Sequence, residues 1–227
     1  MKKLLSLVIA LMLASICFAQ KDVTKFLGIP VDGTKSDMIQ KLKAKGFTYN
    51  QQKDWLEGEF NGRNVYLLIG TNKNKVYRIV VADAIRSNET NIKGRYNRLL
   101  RQFKYNDKYT SYTDDKEIPE GEDISYEITV NNKRYEASFC QRSYKEGDSL
   151  ALSEYVYNEL KERYTKDEID SMNEEEKKNA FSSILFDYHL LVLPKKSVWF
   201  TIGKEYDDYY IYIYYDNEYN MANGEDL

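Results

Sequence analysis

A chain of 227 residues, 42% of them hydrophobic, can bury one substantial core or two small ones. Its 33 basic and 36 acidic residues leave a formal net charge of −3, which gives no attraction toward nucleic acid, and two cysteines exclude a disulfide scaffold. The composition is marked by 21 tyrosines against 9 Phe and 2 Trp; a Tyr ring buries apolar area while its hydroxyl stays wet, which suits sheet faces and binding surfaces alike.

Met1 to Lys3 is a short basic start, Leu4 to Phe18 is an almost unbroken apolar run, and Cys17-Phe18-Ala19 ends on a small residue. This is the pattern of a secretory signal peptide, 1–19, with cleavage expected after Ala19. Acylation at Cys17, the lipoprotein alternative, ranks second because Ile16 is bulky next to that cysteine. No other stretch reaches the roughly 18 apolar residues of a membrane span. The expectation is an exported chain, periplasmic or secreted, with no stable membrane span once mature and with Cys140 as its single thiol.

Phe26 to Val31 reads as extended, because Pro30 biases Ile29 away from helix. Thr34 then offers an N-cap with Asp37 three residues on. Met38, Ile39 and Leu42 line one helix face, while Lys41, Lys43 and Lys45 face water. Gly46 fits the left-handed stop, with Leu42 and Phe47 as the hydrophobic pair that closes it. Asn61-Gly62 predicts a two-residue hairpin pairing Phe60 with Arg63, which sets Leu56, Phe60, Val65, Leu67 and Ile69 on one face and Tyr66 and Leu68 on the other. Val76 to Ala82 is apolar on both faces and belongs inside the sheet. Ser87 or Asn88 opens a second helix. Ile92, Tyr96, Leu99, Leu100 and Phe103 recur there at helical spacing, and Arg95, Arg98, Arg101 and Lys104 are assigned to its solvent face.

The polar run 105–123, with Pro119 and Gly121, reads as a linker or long loop. Ile124, Tyr126, Ile128 and Val130 alternate with polar residues, and Tyr135, Ala137 and Phe139 follow a turn at Asn131-Asn132, so 124–140 predicts a β-hairpin. Leu152, Val156 and Leu160 mark a helix over 150–164, with Leu150 and Leu152 also able to extend a strand first. Thr165 with Glu168 and Ser171 with Glu174 match two capping boxes in succession, leading into a helix through Tyr188 that Pro194 ends. A last hairpin spans 198–215. In its second strand Tyr209, Ile211, Ile213 and Tyr215 share one face, and Tyr210, Tyr212 and Tyr214 form a stripe on the other.

The fold class is therefore α+β: antiparallel β-hairpins and a meander, with helices packed mainly on one face. Two similar subdomains fit the pattern, 20–104 as a helix, a three-stranded unit and a second helix, and 124–227 as a second α+β part, with 105–123 between them.

The chain holds no phosphate-binding or dinucleotide-binding loop and no nucleophile elbow, so no cofactor is implied and no catalytic residue is assigned. His189, the single histidine, sits among Leu190, Leu191 and Val192 at a helix end, where the helix dipole favours it. Cys140 ends a strand and reads as a small buried residue. Asp114-Asp115, Asp207-Asp208, and Asp216 with Glu218 lie in turns without calcium-loop spacing, so no metal site is assigned. The candidate binding residues are Tyr210, Tyr212 and Tyr214, whose rings suit a protein or glycan partner of the cell envelope unless helices cover that face.

The lead from Phe26 to Gly33, the ending Lys45-Gly46-Phe47, the close of the apolar leader at Phe18-Ala19-Gln20 and the terminal Gly224 to Leu227 resemble a group of uncharacterised secreted proteins of Gram-negative gut bacteria. That resemblance implies export and carries no activity. Gly33-Thr34, the short helix and the following strands are more weakly similar to β-lactamase-inhibitor-like and outer-membrane-assembly lipoprotein modules, which implies binding; their second lead helix has no counterpart here. The function expected is an exported, non-enzymatic interaction protein. The alternative is a periplasmic, glycosidase-like hydrolase working through a carboxylate pair.

Overall fold

A computed structural model describes residues 22–111, 113–142, 146–192, 194–222 and 224. The leader 1–19, with Cys17, and the chain end 225–227 lie outside the described residues. The chain opens on a minimal hairpin, β1 (Lys25–Phe26) and β2 (Ile29–Pro30), followed by helix α1 (Lys35–Lys43). Next come β3 (Thr48–Asn50), β4 (Trp55–Phe60), β5 (Arg63–Asn72) and β6 (Lys75–Asp83), then α2 (Glu89–Lys104), β7 (Tyr109–Ser111), the short α3 (Ile124–Thr129) and β8 (Glu136–Gln141). Three helices, α4 (Glu146–Arg163), α5 (Lys166–Ser171) and α6 (Glu174–Val192), precede β9 (Ser197–Glu205) and β10 (Asp208–Asp216). Among the described residues no helix is long and apolar enough to cross a membrane.

Strands β3 to β10 form one antiparallel sheet of eight strands in the order β3-β4-β5-β6-β10-β9-β8-β7. The junction is β6 against β10, where Ile213 faces Val81 and Tyr215 faces Ile79. Strands from both sides of 105–123 thus share one sheet. Within it β6, apolar on both faces, lies inside as its pattern requires.

Helices α1 and α2 pack on one face. Met38 and Leu42 of α1 are fully buried, as are Ile92 and Leu100 of α2 to within 1%. They meet Leu56, Leu67, Ile79, Ile211, Ile213 and Phe200, all without exposed area. Each such side chain contributes about 1.5–3 kcal/mol by leaving water. Phe103 stacks on Phe139 at 4.9 Å, tying α2 to the β8–β9 end of the sheet.

The first unit follows its local rules closely. The Thr34 side chain accepts from the Asp37 amide at 3.2 Å. At the other end Gly46 has φ +96°, and the Phe47 amide reaches the Leu42 carbonyl at 3.2 Å, which is the Schellman closure. Asn88, not Ser87, caps α2 through the Asn91 amide at 2.9 Å.

Three sequence expectations are corrected and a fourth is refined. The segment 124–140 is not a hairpin: Asp123 caps α3 by accepting from the Tyr126 amide at 2.8 Å, and only β8 is extended. The alternation misleads because Ile124 and Ile128, four residues apart, suffice to face the core from a helix, while Tyr126 and Val130 are 54% and 55% exposed. The run 105–123 is largely loop, one of its two readings, but it contains β7 and is strapped across α2, with Asn97 bonded to both the amide and the carbonyl of Ile118 at 2.8 and 2.9 Å. Arg95 does not face water: it is 4% exposed and pairs with Asp83 at 2.6 and 2.5 Å. Finally, α6 is capped by Asn173, which accepts from the Glu176 amide at 2.9 Å while Glu176 accepts from the Asn173 amide at 2.8 Å. The Ser171 hydroxyl instead donates to the Glu168 carbonyl of α5. The Thr165–Glu168 box forms as expected.

Strands β8 and β9 are neighbours, with Cys140 opposite Ser197, yet the chain between them makes the excursion α4–α6 before returning. Helices α4 and α6 pack on each other: Ile184 is fully buried, Tyr155 meets Tyr188 at 5.2 Å, and Arg163 bonds Asp187 at 2.8 Å.

Candidate functional site: the aromatic face of the sheet

Alternation along a strand sends successive side chains to opposite faces, so every residue that faces the helices leaves a neighbour on the open side. On β10 the buried set is Tyr209, Ile211, Ile213 and Tyr215, and the open set is Tyr210, Tyr212 and Tyr214, all half-buried. The helices that lie against the sheet, α1 and α2, are on the opposite face, so the stripe is not covered by them.

Pairing register extends the stripe into a field. Tyr66, Ala82, Tyr212, Thr201 and Glu136 form one row across β5, β6, β10, β9 and β8. Leu68, Val80, Tyr214, Trp199 and Ser138 form the next. Trp199 lies flat on Tyr214, 3.9 Å apart and 8° from parallel, and Trp55 stacks on Tyr66 at 4.5 Å. Tyr212 stands edge-on to Tyr210 at 5.7 Å. The side chains of Tyr66 and Tyr212 rise from strands two spacings apart, about 10 Å. Between them β6 presents the small side chains of Ala82 and Val80, with Arg78 further along the same face.

Charges flank the aromatic face at both ends. Arg78 clasps Asp216 through two bonds at 2.6 and 2.8 Å, and its guanidinium lies 5.0 Å from the centre of the Tyr214 ring. Trp199 Nε1 donates to the same carboxylate at 2.9 Å. The Asp216 bond raises the Arg78 pKa, so this cation is permanent. At the far end Arg86 bonds Glu205 and Asp208, each at 3.1 Å, and the Tyr210 hydroxyl donates to Glu205. Burial and then the Glu205 bond push the Tyr210 hydroxyl up to about 12, while burial raises Tyr212 and Tyr214. All three are neutral phenols near pH 7, able to donate and accept.

Gly203 seats this arrangement. A Cβ there would stand 2.5 Å from the Tyr212 ring and 3.1 Å from that of Tyr210. The glycine is needed for that close approach, since the two rings occupy the space a side chain would take.

The other sequence candidates go elsewhere. Cys140 is buried, and burial raises its thiol pKa, which suppresses the nucleophilic thiolate. His189 lies in α6, and its side chain is outside the described residues. Asp115 accepts from the Ser138 amide, and Asp208 is held by Arg86. Glu218 is pushed up by burial and by Asp216, but Asp216 is committed to Arg78 and Trp199. A cleft of about 440 Å³ carries Glu117 and Glu122, which bond Arg101 and Lys133. Lys133, followed by Tyr135, holds Glu122 below its ordinary value. In a cleft of about 390 Å³, Asp83 is locked to Arg95. Among the described residues no group of three or more His, Cys, Asp or Glu side chains is arranged to hold a metal ion.

Trp55, Tyr66, Arg78 and Trp199 were not among the sequence candidates. The signal for Trp199 was present, since counting back from the β9–β10 turn pairs it with Tyr214. Tyr66 and Arg78 became visible only once β6 was known to lie beside β10. Comparison with family models, with characterised proteins and with solved structures finds no match.

Proposed function

We propose that this chain is an exported, non-enzymatic interaction protein whose open sheet face binds a polypeptide partner of the cell envelope. Export rests on the basic start, apolar run and small-residue ending of residues 1–19. In this reading the chain stands with the secreted proteins whose lead it resembles. One observation carries the binding assignment: a half-exposed field of Tyr, Trp and Arg, left uncovered by α1 and α2, on a rigid sheet. These three residue types dominate the energetics of protein interfaces. A polypeptide is preferred to a glycan because Trp199 and Tyr214 bury their facing surfaces in each other, and Arg78 covers Tyr214, so little flat ring surface is left to stack on a sugar. The hydrolase alternative draws less support, because three of the acids that line the clefts, Asp83, Glu117 and Glu122, are held in ion pairs.

The test is site-specific photo-crosslinking in cells that make the full chain. A photoreactive side chain at Tyr212 is expected to capture a polypeptide, and one at the exposed Tyr126 of α3 is not. Replacing Tyr210, Tyr212 and Tyr214 by Ser should abolish capture through a neighbouring probe with the fold intact by circular dichroism. Unfolding of that triple variant would make the stripe core, and binding of an envelope glycan that the variant loses would move the face to a sugar partner.

A further inference from the structure

A separate cleft of about 500 Å³ opens on the helix-bearing side of the sheet. That volume lies within the range of roughly 300–1,000 Å³ typical of small-molecule sites. Leu99, Phe103, Ile213 and Tyr215 contribute to its lining, and each is at least nine-tenths buried. Two hairpin tips join them, Leu27 of β1–β2 and Asn61 of β4–β5.

The two tips share one backbone shape and differ in chemistry. Leu27-Gly28 has φ +51° and +80°, and Asn61-Gly62 has +52° and +71°. Positive φ at both central positions favours Asn-Gly, which the second tip uses. The first tip carries leucine, strained at positive φ and still 39% exposed. Local turn chemistry and solvent both oppose that residue. Its side chain lines an apolar cleft, and backbone strain of this kind clusters where a side chain serves a ligand.

The rim defines the ligand's charge. Asn61 and Gln102 hydrogen-bond to each other at 2.9 Å, and Asn106 adds a third amide. Among the described residues of the lining, Glu59 is the charged one and no base stands with it. Within this lining an anionic group would meet the Glu59 carboxylate, while Arg63 and Arg98 line the adjoining cleft on the other side of Glu59.

We propose that this cleft binds a hydrophobic small molecule without negative charge, its apolar body against Phe103 and Ile213 and under the Leu27 lip, and its polar end at the amide rim. The probes are N-phenyl-1-naphthylamine, which is uncharged, and anilinonaphthalene sulfonate, the same skeleton with a sulfonate, titrated into the full chain by fluorescence. The uncharged probe should bind at least about tenfold more tightly. Leu27→Asn should weaken its binding about tenfold while raising the melting temperature by a few degrees, because it relieves the turn and removes the lip. Glu59→Lys should shift preference toward the sulfonate. Absence of binding by the uncharged probe overturns the proposal. So does a Leu27→Asn variant that binds it as before or melts lower, or loss of binding in Tyr212→Ser alone, which would place the probe on the open face.

Discussion

Arg95 shows how a single residue can reverse its sequence reading. Among Arg98, Arg101 and Lys104 it looked like one more solvated cation, yet it lies one turn before Leu99 on the inward side of α2 and meets Asp83 at the end of β6. Asp83 also accepts from the Ile211 amide at 3.3 Å, so the carboxylate joins α2, β6 and β10 at the middle of the sheet. Removing one partner strands a charge in the interior, and the expected cost is about 3–5 kcal/mol. Arg95→Met should therefore lower the urea midpoint strongly, and adding Asp83→Asn should recover part of the loss. Additive losses would show that the two side chains do not act as a pair. Periodicity could not reveal this, because the partner is twelve residues away on a strand whose neighbours are known only from the sheet.

At the scale of elements, the two glycines that rings press against make a paired prediction. A Cβ at Gly58 of β4 would lie 2.5 Å from the buried Phe47 ring, and one at Gly203 of β9 would lie 2.5 Å from the half-exposed Tyr212 ring. The near contact is identical and the surroundings differ. Phe47 is enclosed by the core, so Gly58→Ala should cost about 1–3 kcal/mol as overpacking. Tyr212 can swing toward water, so Gly203→Ala should cost less but erase part of the near-ultraviolet circular dichroism of the stacked rings. Equal destabilisation by the two changes would mean that the open face is as confined as the core. Elements with strong local signals were legible: the Thr34 cap, the Gly46 stop, the Asn61-Gly62 turn and the Tyr209–Tyr215 alternation all stand as read. Segment 124–130 was not, because apolar residues two and four apart satisfy a strand and a single helical turn alike, and the choice fell to the Asp123 cap and to how much of the segment the core could accept.

The whole molecule carries its tyrosines in a way that links stability to alkaline pH. Burial leads the upward shift of Tyr96, Tyr135 and Tyr215, and Tyr210 is raised to about 12. A free phenol titrates near 10. Between about pH 10 and 12 the unfolded chain sheds protons that the folded chain keeps, so stability is complete below about 10 and falls as pH rises through that window. Urea midpoints should drop steadily over this range, with phenolate absorbance lagging that of the denatured chain. A midpoint constant from pH 10 to 12 would contradict these shifts.

The sequence by itself determined the α+β class, the hairpins at Asn61-Gly62 and over 198–215, the first helix from cap to stop and the two-faced last strand. Those features depend on turn chemistry, capping and periodicity, whose partners lie within a few residues. Tertiary structure alone decided that β6 and β10 are neighbours, which merges both parts of the chain into one sheet. It also decided that β8 and β9 pair across the α4–α6 excursion, and that Tyr66, Trp199 and Arg78 join the tyrosine stripe. Each of these is a pairing between strands distant in sequence, selected by which apolar faces could be buried together, and no local pattern encodes it.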